Sequence, residues 1–324
     1  MTDGRAGNLA QALGLAEAVA RHIPARITAQ EVRPARLVAL MPARLWHALR
    51  GVPGWPEAGL VRDCPAPAPP WPDLAIGAGR RAALFIAALG RRHGVRTVQI
   101  LDPQMDAAAF DLIVAPEHDA LTAPNAVATL GSVGRITPET VAKAAARLAP
   151  RIAHLPARRL AVLVGGPGPS ARWGAGDAGR LVAALARLSA EGWGLMVTTS
   201  RRTDPALARA LADRLDPARA LVFTGSGENP YPGMLGLAEA VLVTADSVNM
   251  ASEAASTGLP VHVFDVAQPS AKARAFHAAL AARGIARAFD GGIGTWSYPP
   301  LAEADRVARI VLDRLFPGPP HPAP

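Results

Sequence analysis

Residues 240–264 read AVLVTADSVNMASEAASTGLPVHVF. Val241, Leu242 and Val243 form a short apolar run of the kind buried in a parallel sheet, and Pro260 to Phe264 form another. Between them the composition is helical, with cap-type oxygens on Thr244, Asp246 and Ser247 at the start and Gly258 and Pro260 at the end. A strand, a helix and a second strand in this order place the chain in the α/β class. A helix that opens directly after a buried strand presents free backbone N–H groups and a positive dipole end, where a phosphate is stabilised without a lysine. Ser247 and Asn249 add side-chain donors at that point. Glu253 lies about a turn and a half further on, placed to accept hydrogen bonds from ribose hydroxyls. The competing reading of Glu253 is a carboxylate solvated on an exposed helix face.

Outward from this unit, short apolar runs alternate with helical stretches. Leu74 to Ile76, Thr97 to Leu101 and Leu112 to Ala115 read as strands of a first sheet, with helices near Leu9 to Arg21, Ala82 to Arg92 and Pro138 to Leu148. After Pro156 come strand Leu160 to Val164, helix Asp177 to Ala190, strand Leu195 to Thr199, helix Pro205 to Leu215, strand Ala220 to Phe223 and helix Met234 to Glu239. Helices Ser270 to Arg283 and Ala302 to Leu315 complete the series. The expected organisation is a first domain over 1–152, to which a helix at 302–316 returns, and a second over 153–301. The Pro-rich segment Cys64 to Pro72 is expected to be a loop within the first domain, and 317–324 a disordered tail.

A chain of 324 residues with 50% hydrophobic residues is long enough for two cores. No apolar run approaches the length of a membrane span, and MTDGRAGNLA has none of the features of a signal peptide, so a cytoplasmic location is expected. The single cysteine, Cys64, excludes an internal disulfide and a multi-cysteine zinc site. The net charge of +8 rests on arginine, lysine occurring only at Lys143 and Lys272, and points to a GC-rich bacterial genome. The arginines are scattered and only 5% of residues are aromatic, which argues against a nucleic-acid partner. The charge remains compatible with an anionic nucleotide and with peripheral contact at the inner face of a membrane.

In open parallel sheets ligands sit beyond the carboxyl ends of the strands, so the loops after strands are the candidate sites. Gly165, Gly166 and Gly168 can let a ligand approach the backbone or simply form a tight turn. Ser200, Arg201 and Arg202, among the hydroxyls of TTSRRT, suit phosphate or sugar contacts, the alternative being surface arginines without a ligand. The loop Gly227 to Tyr231 can cover a base or sugar, or start a helix. APEHD, from Ala115 to Asp119, places His118 between two carboxylates at a strand end, a reasonable setting for a general base, with an exposed polar turn as the alternative. No metal and no cofactor are expected, because no second His or Cys cluster is evident. At the start of the chain TDGRAGN, with Gln11 after it, is a glycine-spaced loop that opens an amphipathic helix with no strand before it.

The 240–264 unit resembles the donor half-site of GT-B glycosyltransferases and of non-hydrolysing nucleotide-sugar epimerases. In that resemblance Glu253 matches the helix Glu that holds the ribose and Ser247 the first turn residue, while Val248 and Asn249 replace the usual glycines. TDGRAGN, FDLIVAPEHD, TTSRRT and the long segment Gly227 to Val261, in order along the chain, are similar to the mitochondrial-fission, or elongated-mitochondria, family and its bacterial relatives. The resemblance implies two Rossmann-like domains facing a cleft. It implies a nucleotide-diphosphate-sugar held by Gly165, Gly166, Ser200, Arg201, Arg202, Ser247, Asn249 and Glu253. His118 or Asp119 would deprotonate an unidentified acceptor beside a loop formed by Asp3, Gly4, Arg5, Gly7, Asn8 and Gln11. The same resemblance implies an alternative, a non-catalytic membrane-surface adaptor on a degenerate glycosyltransferase fold.

Overall fold

The computed structural model describes residues 1–41, 45, 52, 55–61, 64, 66–168 and 171–317. The chain forms two compact units, Met1–Arg135 with Ala302–Pro324, and Ile136–Leu301. Residues 318–324, the greater part of the expected tail, lie outside the described residues.

The first unit is built on a parallel sheet of β1 (Leu74–Ala78), β2 (Arg96–Ile100), β3 (Leu112–Pro116) and β4 (Ala126–Thr129), in that spatial order. β1 and β3 are apolar runs, β2 carries the polar Thr97 and Gln99 as well, and all three are buried almost throughout, as expected when helices cover both faces. Helix α1 (Ala6–His22) brings Leu15 and Ala18 against Val98 and Ile100, and the final helix, Glu303–Leu315, adds Val307, Ala308 and Val311 to the same core. The short α2 (Arg36–Leu40) lies outside this core, and α3 (Arg80–His93) buries Ala83, Ile86 and Leu89 against Ala75 and Ile113. The opening loop does follow a strand-like segment. Thr2 is buried and makes parallel bridges to Ala78 and to Glu31, so Met1 and Thr2 pair beside β1 although the sequence holds no apolar run there.

The second unit begins earlier than the expected boundary at 152/153. Helix α4 (Pro138–Leu148), capped by Thr137 and opened by Pro138, packs along α7 (Tyr231–Leu237) of the second unit. The approach is close enough that a Cβ on Gly233 would lie 2.7 Å from the Ala144 carbonyl oxygen, and one on Gly236 2.7 Å from Val141. Small residues on α7 therefore decide to which unit α4 belongs.

The remaining strands are β5 (Arg159–Val164), the two-residue β6 (Ala171–Arg172), β7 (Gly194–Thr199), β8 (Ala220–Phe223), β9 (Ala240–Thr244), β10 (Val261–Phe264), the two-residue β11 (Gln268–Pro269) and β12 (Ala286–Ala288). Six of them make one parallel sheet in the order β12-β10-β9-β5-β7-β8, and β6 pairs antiparallel with β11. Helices α5 (Asp177–Ala190) and α6 (Pro205–Arg214) place Leu181, Leu185, Leu188, Leu207 and Leu211 on this sheet's core. Helix α8 (Val248–Ala255) joins β9 to β10, and the chain leaves it through Gly258, whose φ of +78° is open to glycine at little cost. Helices α9 (Ala271–Ala282) and α10 (Glu303–Leu315) complete the chain. Two Rossmann-like units of this kind constitute a GT-B-like α/β fold.

Candidate functional site

β5 lies between β7 and β9, so the loops leaving their carboxyl ends are neighbours on one sheet edge. They are tied together by hydrogen bonds. The Gly165 amide donates to Thr244 Oγ1 at 2.8 Å and the Gly166 amide to Asp246 Oδ2 at 2.7 Å. Thr203 Oγ1 donates to the Gly165 carbonyl at 2.5 Å and accepts from the Ser200 amide at 2.8 Å. Arg202 donates to the Gly166 carbonyl at 2.8 Å, and its other terminal nitrogen lies 3.5 Å from Asp246 Oδ2. Trp173 Nε1 donates to Asp246 Oδ1 at 3.2 Å. With Asp246 1% exposed, burial pushes its pKa up, and the contacts from Thr244, Gly166, Arg202 and Trp173 offset only part of that rise.

This geometry corrects two expectations. Of the three cap candidates only Ser247 caps α8, its Oγ accepting from the Met250 amide at 3.4 Å, because Thr244 and Asp246 are turned back toward β5. Gly165 and Gly166 do not offer an open backbone to a ligand. A Cβ at Gly165 would lie 2.0 Å from Asp246 Oδ2 and one at Gly166 2.1 Å from the Arg202 carbonyl oxygen, so the glycines admit the protein's own groups.

The donors that remain on this edge are those around the first turn of α8, with Asn249 half-buried beside them, and the exposed Arg201, which has no ion pair among the described residues. Ser200 Oγ accepts from the Arg202 amide at 3.1 Å. Further along α8, Glu253 is not solvated on an open face. Its Oε2 accepts from Tyr231 Oη at 2.8 Å, and Tyr231 is set at the start of α7 by Asn229, which accepts its amide at 3.1 Å. Burial pushes the Glu253 pKa up and the Tyr231 hydrogen bond opposes it, while burial and the Glu253 charge push the phenol well above its ordinary range. The phenol thus stays protonated and is the donor to Glu253 Oε2, which orients the Glu253 side chain. On this edge sequence reading missed the contacts of Tyr231 and Asp246; a Tyr in a Gly/Asn/Pro loop was the available signal for the first.

In the first unit the expected loop residues gather over the end of β1. Asn8 Nδ2 donates to Asp3 Oδ1 at 2.9 Å, and Gly79, at φ +82°, leaves room for Asn8, whose Nδ2 would lie 2.4 Å from a Cβ there. Gly4 has φ +77° and packs on Glu31, while Arg5 lies 3.5 Å from Asp3 and is exposed. Gly7 is in the first turn of α1, and Gln11 is buried in its second. His118 and Asp119 are half-buried in a single 3-10 turn after β3, closed by Ala120 in the left-handed region at φ +50°. On the neighbouring strand end, Leu101 and Gln104 also take positive φ, of 69° and 54°. Gln104 accepts from Arg80 at 3.1 Å and donates its amide to Asp102 at 2.8 Å. Left-handed backbone at non-glycine residues is costly and clusters at functional sites. Arg80, Asp102 and Gln104 were missed, although IGAGRR, a glycine-spaced loop between a strand and a helix, was the signal. Among the described residues no group of three or more His, Cys, Asp or Glu could hold a metal ion, and no helix is long and apolar enough to cross a membrane.

The sequence profile of the family described as Mitochondrial fission ELM1 matches residues 6–315. The Mitochondrial fission protein ELM1 of Arabidopsis thaliana is 30% identical over 273 residues, a match covering 75% of this chain and 64% of the plant protein. The chain thus spans less than two thirds of that relative's length. Uncharacterized protein RP120 of Rickettsia prowazekii (strain Madrid E) is 28% identical over 282 residues, covering 74% of this chain and 79% of its own. Among solved structures, the glycotransferase of kitacinnamycin is similar over 97% of both chains, with a TM-score of 0.51 at 15% identity, a likeness of fold.

Proposed function

This chain belongs to the mitochondrial fission ELM1 family, and from that premise we propose that it is a GT-B-like enzyme that binds a nucleotide-diphosphate-sugar in its second unit and transfers or epimerises the sugar. The observation that carries the reading is the carboxylate of Glu253, oriented by Tyr231 at 2.8 Å on the same helix whose N-terminal turn follows a buried strand. A carboxylate with a fixed acceptor direction suits the paired hydroxyls of a ribose, and the helix N-terminus suits the diphosphate about a turn and a half away.

In this reading Ser247, Asn249, Ser200 and Arg201 hold the diphosphate and Glu253 the ribose. Arg202, Gly165 and Gly166 act one step behind, since their polar groups are engaged with Asp246, Thr244 and one another. Charge developing on the leaving diphosphate is met by the helix dipole and Arg201. His118 or Asp119 takes the proton of an acceptor hydroxyl. The setting is the cytoplasm of a bacterium. One observation favours the alternative of a non-catalytic adaptor on the same fold: the glycine loop after β5 is closed by the protein's own side chains.

The test is a thermal-shift screen of the purified chain against UDP-, GDP-, ADP- and CMP-sugars, because a ligand that binds only the folded state raises the melting temperature. The best hit is then titrated calorimetrically into variants and offered with a crude acceptor pool. Glu253→Ala is expected to weaken binding by about 1.5 to 3 kcal/mol, a lost charged hydrogen bond. His118→Ala is expected to lower turnover by roughly 10² to 10⁴ with binding nearly intact. A folded parent protein that binds no nucleotide-sugar in the panel leaves the adaptor as the better account.

A further inference from the structure

Apolar side chains are driven out of water, and among the described residues the large ones left most open collect on one short stretch of the first unit. Leu37 is 80% exposed and Leu40 75%, and Leu45 and Val52 are exposed nearby in sequence. Leu37 and Leu40 lie three residues apart and so on one face of α2. Val38 turns the other way and packs against Trp55 and Leu84. The helix is thus anchored by one side chain and presents the other two outward, an arrangement that folding alone does not reward.

The stretch of sequence that follows Glu31 and holds this helix carries charge of one sign. Between Glu31 and Glu57 the sequence carries Arg33, Arg36, Arg44 and Arg50 and no Asp or Glu. Arg33 lies 3.7 Å from Glu31 and remains 54% exposed, and Arg36 is exposed with no ion pair among the described residues. Leucines open to solvent beside exposed arginines are the pattern of a segment that lies in a membrane interface, where the apolar side chains enter the headgroup boundary and the guanidinium groups meet anionic headgroups. A net charge of +8 on the whole chain adds long-range attraction to such a surface.

We propose that the face of α2 formed by Leu37 and Leu40, with Arg33 and Arg36 beside it in sequence, docks the first unit onto an anionic lipid surface. The docking is monotopic, since no described helix can cross a bilayer. It stands apart from the nucleotide-sugar reading and survives that reading's failure.

The experiment is flotation of the full chain with extruded vesicles of phosphatidylcholine alone or mixed with phosphatidylglycerol. The expected result is binding to the mixed vesicles that weakens as salt is raised. Arg36→Glu lowers the partition coefficient at least about fivefold, and the double variant Leu37→Ser/Leu40→Ser at least about tenfold. The three side chains are exposed, so the variants should keep the parent's circular dichroism and melting temperature, which is checked alongside. A folded parent that does not float with the mixed vesicles overturns the proposal. So does equal binding to both compositions, or binding that either variant leaves unchanged. A dimer seen by light scattering that the double serine variant dissociates, with no vesicle binding, assigns the face to a second copy of the chain instead.

Discussion

Replacing Asp246 tests the strand-end cluster of the second unit most directly. Its carboxylate takes the Gly166 amide at 2.7 Å and the Trp173 indole at 3.2 Å, and lies 3.5 Å from Arg202. Asp246→Ala strands a buried amide, at roughly 1 to 3 kcal/mol, while the ion pair it removes is to the exposed Arg202 and adds little. Arg202 is solvated and keeps its bond to the Gly166 carbonyl, so about 1 to 3 kcal/mol in all is expected. Asp246→Asn keeps an acceptor for Gly166 and sheds the buried charge, and should cost less than half as much. The pH dependence discriminates further. Burial raises the folded-state pKa of Asp246 above its ordinary 3.8, so the unfolded chain ionises first as pH rises. The wild type therefore gains stability relative to Asp246→Asn as pH falls through the folded pKa toward 3.8, because only the wild type titrates there. Urea unfolding of the pair between neutral pH and about pH 4, read as a difference so that other groups cancel, measures this. If the wild type instead loses ground to Asp246→Asn on acidification, Arg202 outweighs burial and the reasoning is refuted.

Tyr231→Phe removes the hydroxyl that orients Glu253, and should weaken nucleotide-sugar binding by about 0.5 to 1.5 kcal/mol, less than Glu253→Ala; calorimetric titration of both variants checks the order. Gly166→Ala should fail to give stable protein, because its Cβ would meet the Arg202 backbone at 2.1 Å, whereas Gly176→Ala, with no atom within 4 Å, should express and melt like the parent. Asp177 is buried at the start of α5 and accepts from the Gly174 and Ala267 amides and from Arg180; burial alone would raise its pKa, but these bonds hold it below 3.8. Its contribution is present above pH 3.8 and lost as pH falls through the folded pKa, so the stability gap between wild type and Asp177→Asn, about 1.5 to 3 kcal/mol at neutral pH, should close in acid. That trend is opposite in sign to the one for Asp246.

Local sequence determined the elements and the α/β class. A run such as Leu160 to Val164 buries itself on both faces wherever its neighbours lie, and Gly258 can end a helix alone, so strands β5, β7 and β9, helix α8 and the candidate loops are all legible from nearest neighbours. β4, AVAT, and β12, ARA, were not, because so short a run carries too little apolar periodicity to be told from a loop. Tertiary structure decided whatever depends on residues far apart in the chain. Helix α4 follows the first series in sequence, yet the small residues Gly233 and Gly236 admit it to the second unit. Thr244 and Asp246 look like helix caps until β9 is set beside β5, where their side chains meet amides about 80 residues away and leave Ser247 the cap. Likewise Glu253 is a solvated carboxylate or an oriented acceptor depending only on whether Tyr231, 22 residues earlier, reaches it. Backbone propensity acts over a few residues, but burial and hydrogen-bond satisfaction are set by whatever the fold brings alongside, and in the second unit those long-range contacts determine which candidate groups are consumed by the protein and which stay open.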